Sequence, residues 1–392
     1  MIRRVDTAER RARVGLRHLL AASARGDDLA AIAGAVVGLH SSDPASVYLS
    51  AAARLQTPDL PRIEAEMYDE RTVIRMLGMR RTMFVVPLDL APIVQAAVTR
   101  GLLPAQIRIL ARLLEDGGLT DDGEAWYRRV GAATLAELER RGESTTTALA
   151  ADVPELDGRV TAAAGTRWAA EVGVASRVMF LLAAEGKAVR GRPRGSWISS
   201  QYRWHPIALW VDGGLAELSV EVAQAELAGR WLRSYGPAGR DDLRWWAKWT
   251  VREVERALAA VGAVAVEMDG ATGWALPDDL DSTPEVAPWV ALLPALDPTA
   301  MGWKERDWYL GPHREMLFDR NGNVGPTIWS DGRIVGGWAQ RPDGQIAFRL
   351  LEDVGAENTA AVETAAHDLE HLIRPIVVTP RFRTPLEREL SS

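Results

Sequence analysis

The stretch "GLHSSDP", residues 38–44, gathers an imidazole, two hydroxyls and a carboxylate between His40 and Asp43. Such a set can activate or hold a water molecule. A histidine with an ordinary pKa near ~6.5 can act as base or water positioner. Ser42 can orient the water, and Asp43 is a carboxylate in reserve. The same residues also satisfy a corner between two helices. Asp43 or Ser42 suits an N-cap, Pro44 suits the first helical turn, and His40 can meet the free carbonyls of the preceding helix. Residue type alone leaves both readings open.

Other chemistries find less support. The chain has no cysteine, which excludes thiol nucleophiles, disulfides and thiolate metal sites. Lys187, Lys248 and Lys304 are its only lysines, so few amines could form a Schiff base. "HDLEH", from His367 to His371, has the spacing of a zinc protease but no third ligand well downstream, and reads as a polar helix face. Asp319, Asn321 and Asn323 alternate as in a calcium loop, yet the distal glutamate is missing and a hairpin turn is expected. Trp245, Trp246 and Trp249 read as core. Nothing resembles a phosphate loop or a nucleophile elbow, and no cofactor or metal is expected.

The elements that must position these residues follow from periodicity and caps. In 213–283, three helical stretches precede "AVAVEM", a turn and "TGWALP", with Thr250 and Glu253 spaced as a capping box and Gly262 at the following C-cap. Three helices and a hairpin make a winged helix, which presents its third helix to a major groove and its hairpin to the backbone. The order recurs in 121–212 and, more loosely, in 1–120. After Pro284 the chain turns to strand residues with Asn-Gly and Asp-Gly turns, then a helix and an Arg-Pro-rich tail. The expected class is α+β: three tandem winged helices, then an antiparallel β-barrel or sheet over 284–392.

Net charge is −7, but "GKAVRGRPRGSWISSQYRW" carries Lys187, Arg190, Arg192, Arg194 and Arg203 without an acid. Arginine suits bidentate phosphate contacts. With Arg80 and Arg81 at the first hairpin bend, and Arg244, Lys248 and Arg252 in the third unit, these side chains are expected to face double-stranded DNA. No long apolar run suggests a membrane span, and the expectation is a cytoplasmic monomer.

"LLPALDPTAMGWKERDWYL", "FDRNGNVGPTIWSDGRIVGGW" and "RGRPRGSWISSQYRW", together with "VVGLHSSDPASVYL", resemble the bacterial winged-helix DNA-binding-domain family that includes the AlkZ-type and YcaQ-type DNA glycosylases. The resemblance implies three winged helices with a β-barrel and excision of bulky or cationic alkylpurines. It also implies that the hairpin around Arg341 projects toward the duplex. The family's Gly-Leu is present as Gly38 and Leu39, while its catalytic Gln-x-Gln or Gln-x-Asp positions hold His40 and Ser42. Two functions follow: a monofunctional glycosylase that uses His40, Ser42 and Asp43, or a non-catalytic DNA binder that has lost the site.

Overall fold

Short polar side chains mark where the helices begin. In the computed structural model, which describes residues 2–162 and 169–392, Asp43, Asp59, Asp122, Thr145, Ser219 and Thr250 each accept a backbone N–H at the start of a helix. Thr250 and Glu253 form the capping box, and Gly262 follows with φ +64°.

The order of three helices and a hairpin occurs three times. The first unit comprises helices Leu29–Ala35, Pro44–Ala52 and Leu60–Tyr68 and the hairpin Val73–Leu77 with Met83–Pro87. A two-residue strand, Leu39–His40, pairs with the outer side of Met83–Pro87 and completes a three-stranded antiparallel sheet. The second unit has helices Gly123–Arg141, Thr146–Asp152 and Val174–Ala184, then strands Ala188–Pro193 and Tyr202–Pro206. An additional strand pair, Arg159–Ala162 with Ala170–Gly173, lies between its second and third helices, and the sequence reading had no expectation of it. The third unit has helices Val220–Tyr235, Arg240–Ala247 and Val251–Ala260 and the hairpin Val264–Met268 with Ala271–Ala275.

Beyond residue 284, strands Val290–Leu293, Thr327–Ser330, Arg333–Gln340 and Ile346–Leu350 form a four-stranded antiparallel sheet in chain order, flanked by the helix Gly355–Ile373. The fold is thus mixed helix and strand with antiparallel sheets. No helix among the described residues is long and apolar enough to cross a membrane.

One apolar core runs through the first unit, the third unit and the C-terminal sheet, and the second unit has its own. The shared core positions the motif. The helix Pro44–Ala52, directly after it, is buried along its whole length. It is clamped to the loop before Pro298: Ser46 Oγ donates to the Ala295 carbonyl at 2.7 Å, and Ser50 Oγ to Asp297 at 2.7 Å. Arg54 and Asp297, both 0% exposed, form a bidentate pair at 2.7 and 2.8 Å. The remaining Arg54 hydrogens reach the His18 and Ser50 carbonyls and Thr299 Oγ1. Burial opposes ionisation of Asp297, but the Arg54 charge and the hydrogen bonds from Arg54, Ser50 and Thr299 outweigh it and hold the carboxyl below its usual range.

Candidate functional site

The motif turns out of the helix Leu29–Ala35 through residues that need positive φ, Val37 at +52° and Gly38 at +103°. A Cβ on Gly38 would lie 3.0 Å from Val86 and 3.2 Å from Phe84, so glycine is required for both conformation and space. The chain then runs extended beside Met83–Pro87, with His40 opposite Phe84 and the Ser41 N–H donating to the Met83 carbonyl at 2.7 Å.

Strand alternation sends His40 and Ser42 to one face and Ser41 to the other. His40 is 4% exposed, its ring 5.1 Å from Phe84. Nδ1 accepts the Ser42 N–H at 3.4 Å, which leaves the proton of the neutral ring on Nε2. Burial first, and the Arg80 charge second, push its pKa down to about 3. The ring is therefore held neutral, as a hydrogen-bond donor through Nε2 and a weak base. Ser42 is half-buried, and its Oγ accepts the Met83 N–H at 3.4 Å. Both oxygens of Asp43 have backbone partners. One oxygen caps the helix through the Ala45 N–H at 3.2 Å, and the other accepts the Arg381 N–H at 2.9 Å.

Beside His40 lies an arginine cluster. Arg80 and Arg81 both have positive φ at the hairpin bend. Arg81 is exposed, but Arg80 turns inward and stacks 4.4 Å from the centre of the Trp245 ring. Arg306, 4% exposed, lies 4.9 Å from the same ring. Neither guanidinium has a carboxylate within salt-bridge distance among the described residues. Burial and then Arg306 pull the Arg80 pKa down to about 10. A cleft of about 260 Å³ adjoins them, lined by Asp241, Arg244, Trp245, Lys248, Trp249 and Lys304. Trp246 and Trp249 are core, as read, whereas Trp245 is the half-buried platform of this cluster.

The second-unit wing is less free than its composition implied. Lys187 pairs with Glu185, Arg192 with Asp69, and Arg203 with Glu143. Arg190 turns inward, between the Tyr202 and Trp204 rings, because the aromatic strand opposite covers it. Burial and then Arg75 draw its pKa down to about 10. Arg244 lies 3.8 Å from Asp241. Arg81, Arg194, Lys248 and Arg252 are exposed and make no ion pair among the described residues. Arg341 donates from Nε to the Leu390 carbonyl at 3.3 Å. The expected projecting hairpin is pinned at its base: the buried Gln340 amide bonds Val378, Ile376 and Gly344. Deleting 340–345 would therefore lower stability rather than leave it unchanged.

His371 Nδ1 bonds the His367 carbonyl, within its own helix, at 2.9 Å. Asp319 ties its turn through Asn321 and Asn323. The sequence reading missed Arg54, Arg75, Asp297, Arg306 and Arg381. A lone arginine in the apolar strand "VIRML", and another in the apolar helix "PASVYLSAAAR", were the available signals for Arg75 and Arg54.

Protonation of the buried histidines gives a testable pH dependence. His18 and His40 are each pushed down to about 3 by burial, against about 6.5 in an unfolded chain. The unfolded state binds more protons between these values, so this stabilisation is complete above the unfolded pKa and is lost as pH falls toward the folded one. Each histidine is expected to remove about 1.4 kcal/mol per pH unit between roughly pH 6 and 4. Urea unfolding of His40→Gln should show a pH slope smaller by one proton; an unchanged slope would contradict the burial of this ring.

Residues 33–372 match the family described as DNA glycosylase AlkZ-like. No curated protein matches the chain. Among solved structures, Streptomyces sahachiroi DNA glycosylase AlkZ is similar at TM-score 0.72 and 19% identity, covering 94% of this chain and 97% of that one.

Proposed function

The chain belongs to the AlkZ-like DNA glycosylase family, and from that premise we propose that it is a monofunctional glycosylase that excises bulky or cationic alkylpurines from double-stranded DNA. In this reading its three helix-and-hairpin units are winged helices over 1–120, 121–212 and 213–283, followed by a C-terminal sheet domain. The observation that carries the proposal is the strand end at His40 and Ser42, set beside Arg80 and Arg306, neither of which has a carboxylate within salt-bridge distance among the described residues.

An N7-alkylated purine carries positive charge, so the C1′–N9 bond breaks with its electron pair leaving on the base, which departs neutral. Water then adds to C1′ of the oxocarbenium-like sugar and loses a proton to solvent. Such a reaction needs a positioned water more than a strong base. His40 Nε2–H and the Ser42 hydroxyl suit that task. Removing one such fixed hydrogen-bond partner typically costs 10²–10³-fold in rate. A rate that stays flat between pH 5 and 8 is expected, because His40 does not titrate there; an acid limb near pH 6.5 would restore the general-base role.

The phosphates would be met by the cations that no acid engages. Neutralising Arg81, Lys248 and Arg252 together should reduce the salt slope of duplex binding by about 2–3. Neutralising the acid-paired Lys187, Arg192 and Arg203 should change it by less than about 1. Equal effects from the two sets would contradict this placement.

The function itself is tested by incubating the protein with duplex DNA that carries 7-methylguanine and measuring free base by chromatography. Release that leaves an intact strand with an alkali-labile abasic site is expected. Tight binding without release would establish the alternative, a DNA-binding protein without catalysis, which the deep burial of His40 favours.

A further inference from the structure

Strand alternation gives the motif a second face, and that face holds a different cluster. Arg75, 4% exposed, donates to the Ser41 carbonyl and to the Tyr68 hydroxyl, each at 3.3 Å. Its guanidinium lies 4.7 Å from the centre of the Tyr202 ring, and Arg190 lies 5.7 Å from the same ring. Arg381 reaches in from the C-terminal tail and donates to the Ser42 carbonyl at 3.0 Å. None of these three arginines has a carboxylate within salt-bridge distance among the described residues. Glu64, whose charge reaches Tyr48, is approached at 3.6 Å by Arg192.

Three buried polar atoms around this point have no hydrogen-bond partner, Ser41 Oγ, Arg75 Nε and Tyr202 Oη, and the Tyr48 hydroxyl beside them interacts with that of Tyr68. A native fold rarely leaves several such groups unmet in one place. Their chemistry specifies the missing partner. Guanidinium groups only donate, and hydroxyls can donate, so the partner must accept many hydrogen bonds. Three arginines with no carboxylate within salt-bridge distance among the described residues favour an anion over a neutral acceptor. Several convergent donors around a compact centre suit the oxygens of a phosphate, and arginine is the residue that binds phosphate bidentately.

We propose that Ser41, Tyr48, Arg75, Arg190, Tyr202 and Arg381 form the seat of one phosphate of the DNA strand, next to the nucleotide presented to His40 and Ser42. The proposal rests on the DNA reading above. Its location follows from the motif itself: Ser41 lies between the two proposed active-site residues and faces the opposite way. The strand would thus be gripped on one face of the sheet while its base is processed on the other.

The unpartnered Tyr202 hydroxyl supplies the test, because Tyr202→Phe removes no hydrogen bond from the free protein. The probe is a duplex with an uncleavable tetrahydrofuran abasic analogue, carrying single neutral methylphosphonates at successive positions around it. This variant should keep the wild-type melting temperature and bind this duplex about tenfold more weakly. Arg381→Gln, at an exposed tail position, should weaken binding similarly. One methylphosphonate position should weaken wild-type binding about tenfold and have little further effect on Tyr202→Phe. A lowered melting temperature with unchanged affinity would overturn the proposal in favour of a structural water. So would the absence of any coupled phosphate. Inorganic phosphate that protects the wild type but not Tyr202→Phe, with no coupled strand position, would reassign the seat to a free anion and overturn the strand placement. Base release by the wild type is scored separately. Coupling without release would refute the glycosylase reading alone, and release without coupling would refute the seat alone.

Discussion

Replacing Asp297 with alanine is expected to destabilise the protein by about 3–5 kcal/mol, because it leaves Arg54 as a buried, uncompensated charge. All five Arg54 N–H groups are used, and two of them bond Asp297. Asp297 also accepts from Ser50 and from the Thr299 backbone. Both side chains are 0% exposed, so the vacated position is shielded from bulk solvent. Asp297→Asn should cost less, because it keeps an oxygen for some of these donors. A double replacement by apolar residues, Arg54→Met with Asp297→Leu, should recover much of the loss, since a buried pair often gains little over good packing. Urea unfolding at pH 7 measures all three. A loss below about 1 kcal/mol in Asp297→Ala would show that the pair is not the clamp between the motif's helix and the C-terminal domain.

That clamp also shows where sequence reading reaches its limit. Helix caps, the Thr250–Glu253 box and the hairpins are local signals, each written in adjacent residues, and they occur at the expected places. Long-range pairing is not local. Arg54 and Asp297 lie 243 residues apart, and no spacing rule links them. The ion pairs of the wing arginines are hidden from sequence reading for the same reason. Their composition is basic, but their partners Asp69 and Glu143 come from elsewhere in the chain and neutralise them. Asp43 follows the rule for an N-cap before Pro44, and that local reading describes its structure better than its reading as a catalytic carboxylate. His40 is a mixed case. Its place in the motif was legible, but burial against Phe84 and beside Arg80, which removes its basicity, depends on strand pairing and on the third unit.

His40→Ala is expected to lower the rate of base release by about 10²-fold or more while leaving DNA affinity nearly unchanged. The side chain would act on the water or on the purine, and the phosphates would be held by other residues. Loss of a buried ring opposite Phe84 will also reduce stability, so the comparison is made at a temperature where the variant is fully folded. His40→Gln supplies the amide found at this position in the family motif. It can still donate a hydrogen bond from a similar reach, and it should retain most of the activity lost by alanine.

The most direct test is single-turnover release of 7-methylguanine from duplex DNA at saturating protein, wild type against His40→Ala. Expected are release by the wild type, a fall of at least about a hundredfold in the folded variant, and dissociation constants within about twofold of each other. Equal release rates from the two folded proteins would contradict it and return "GLHSSDP" to a corner between two helices.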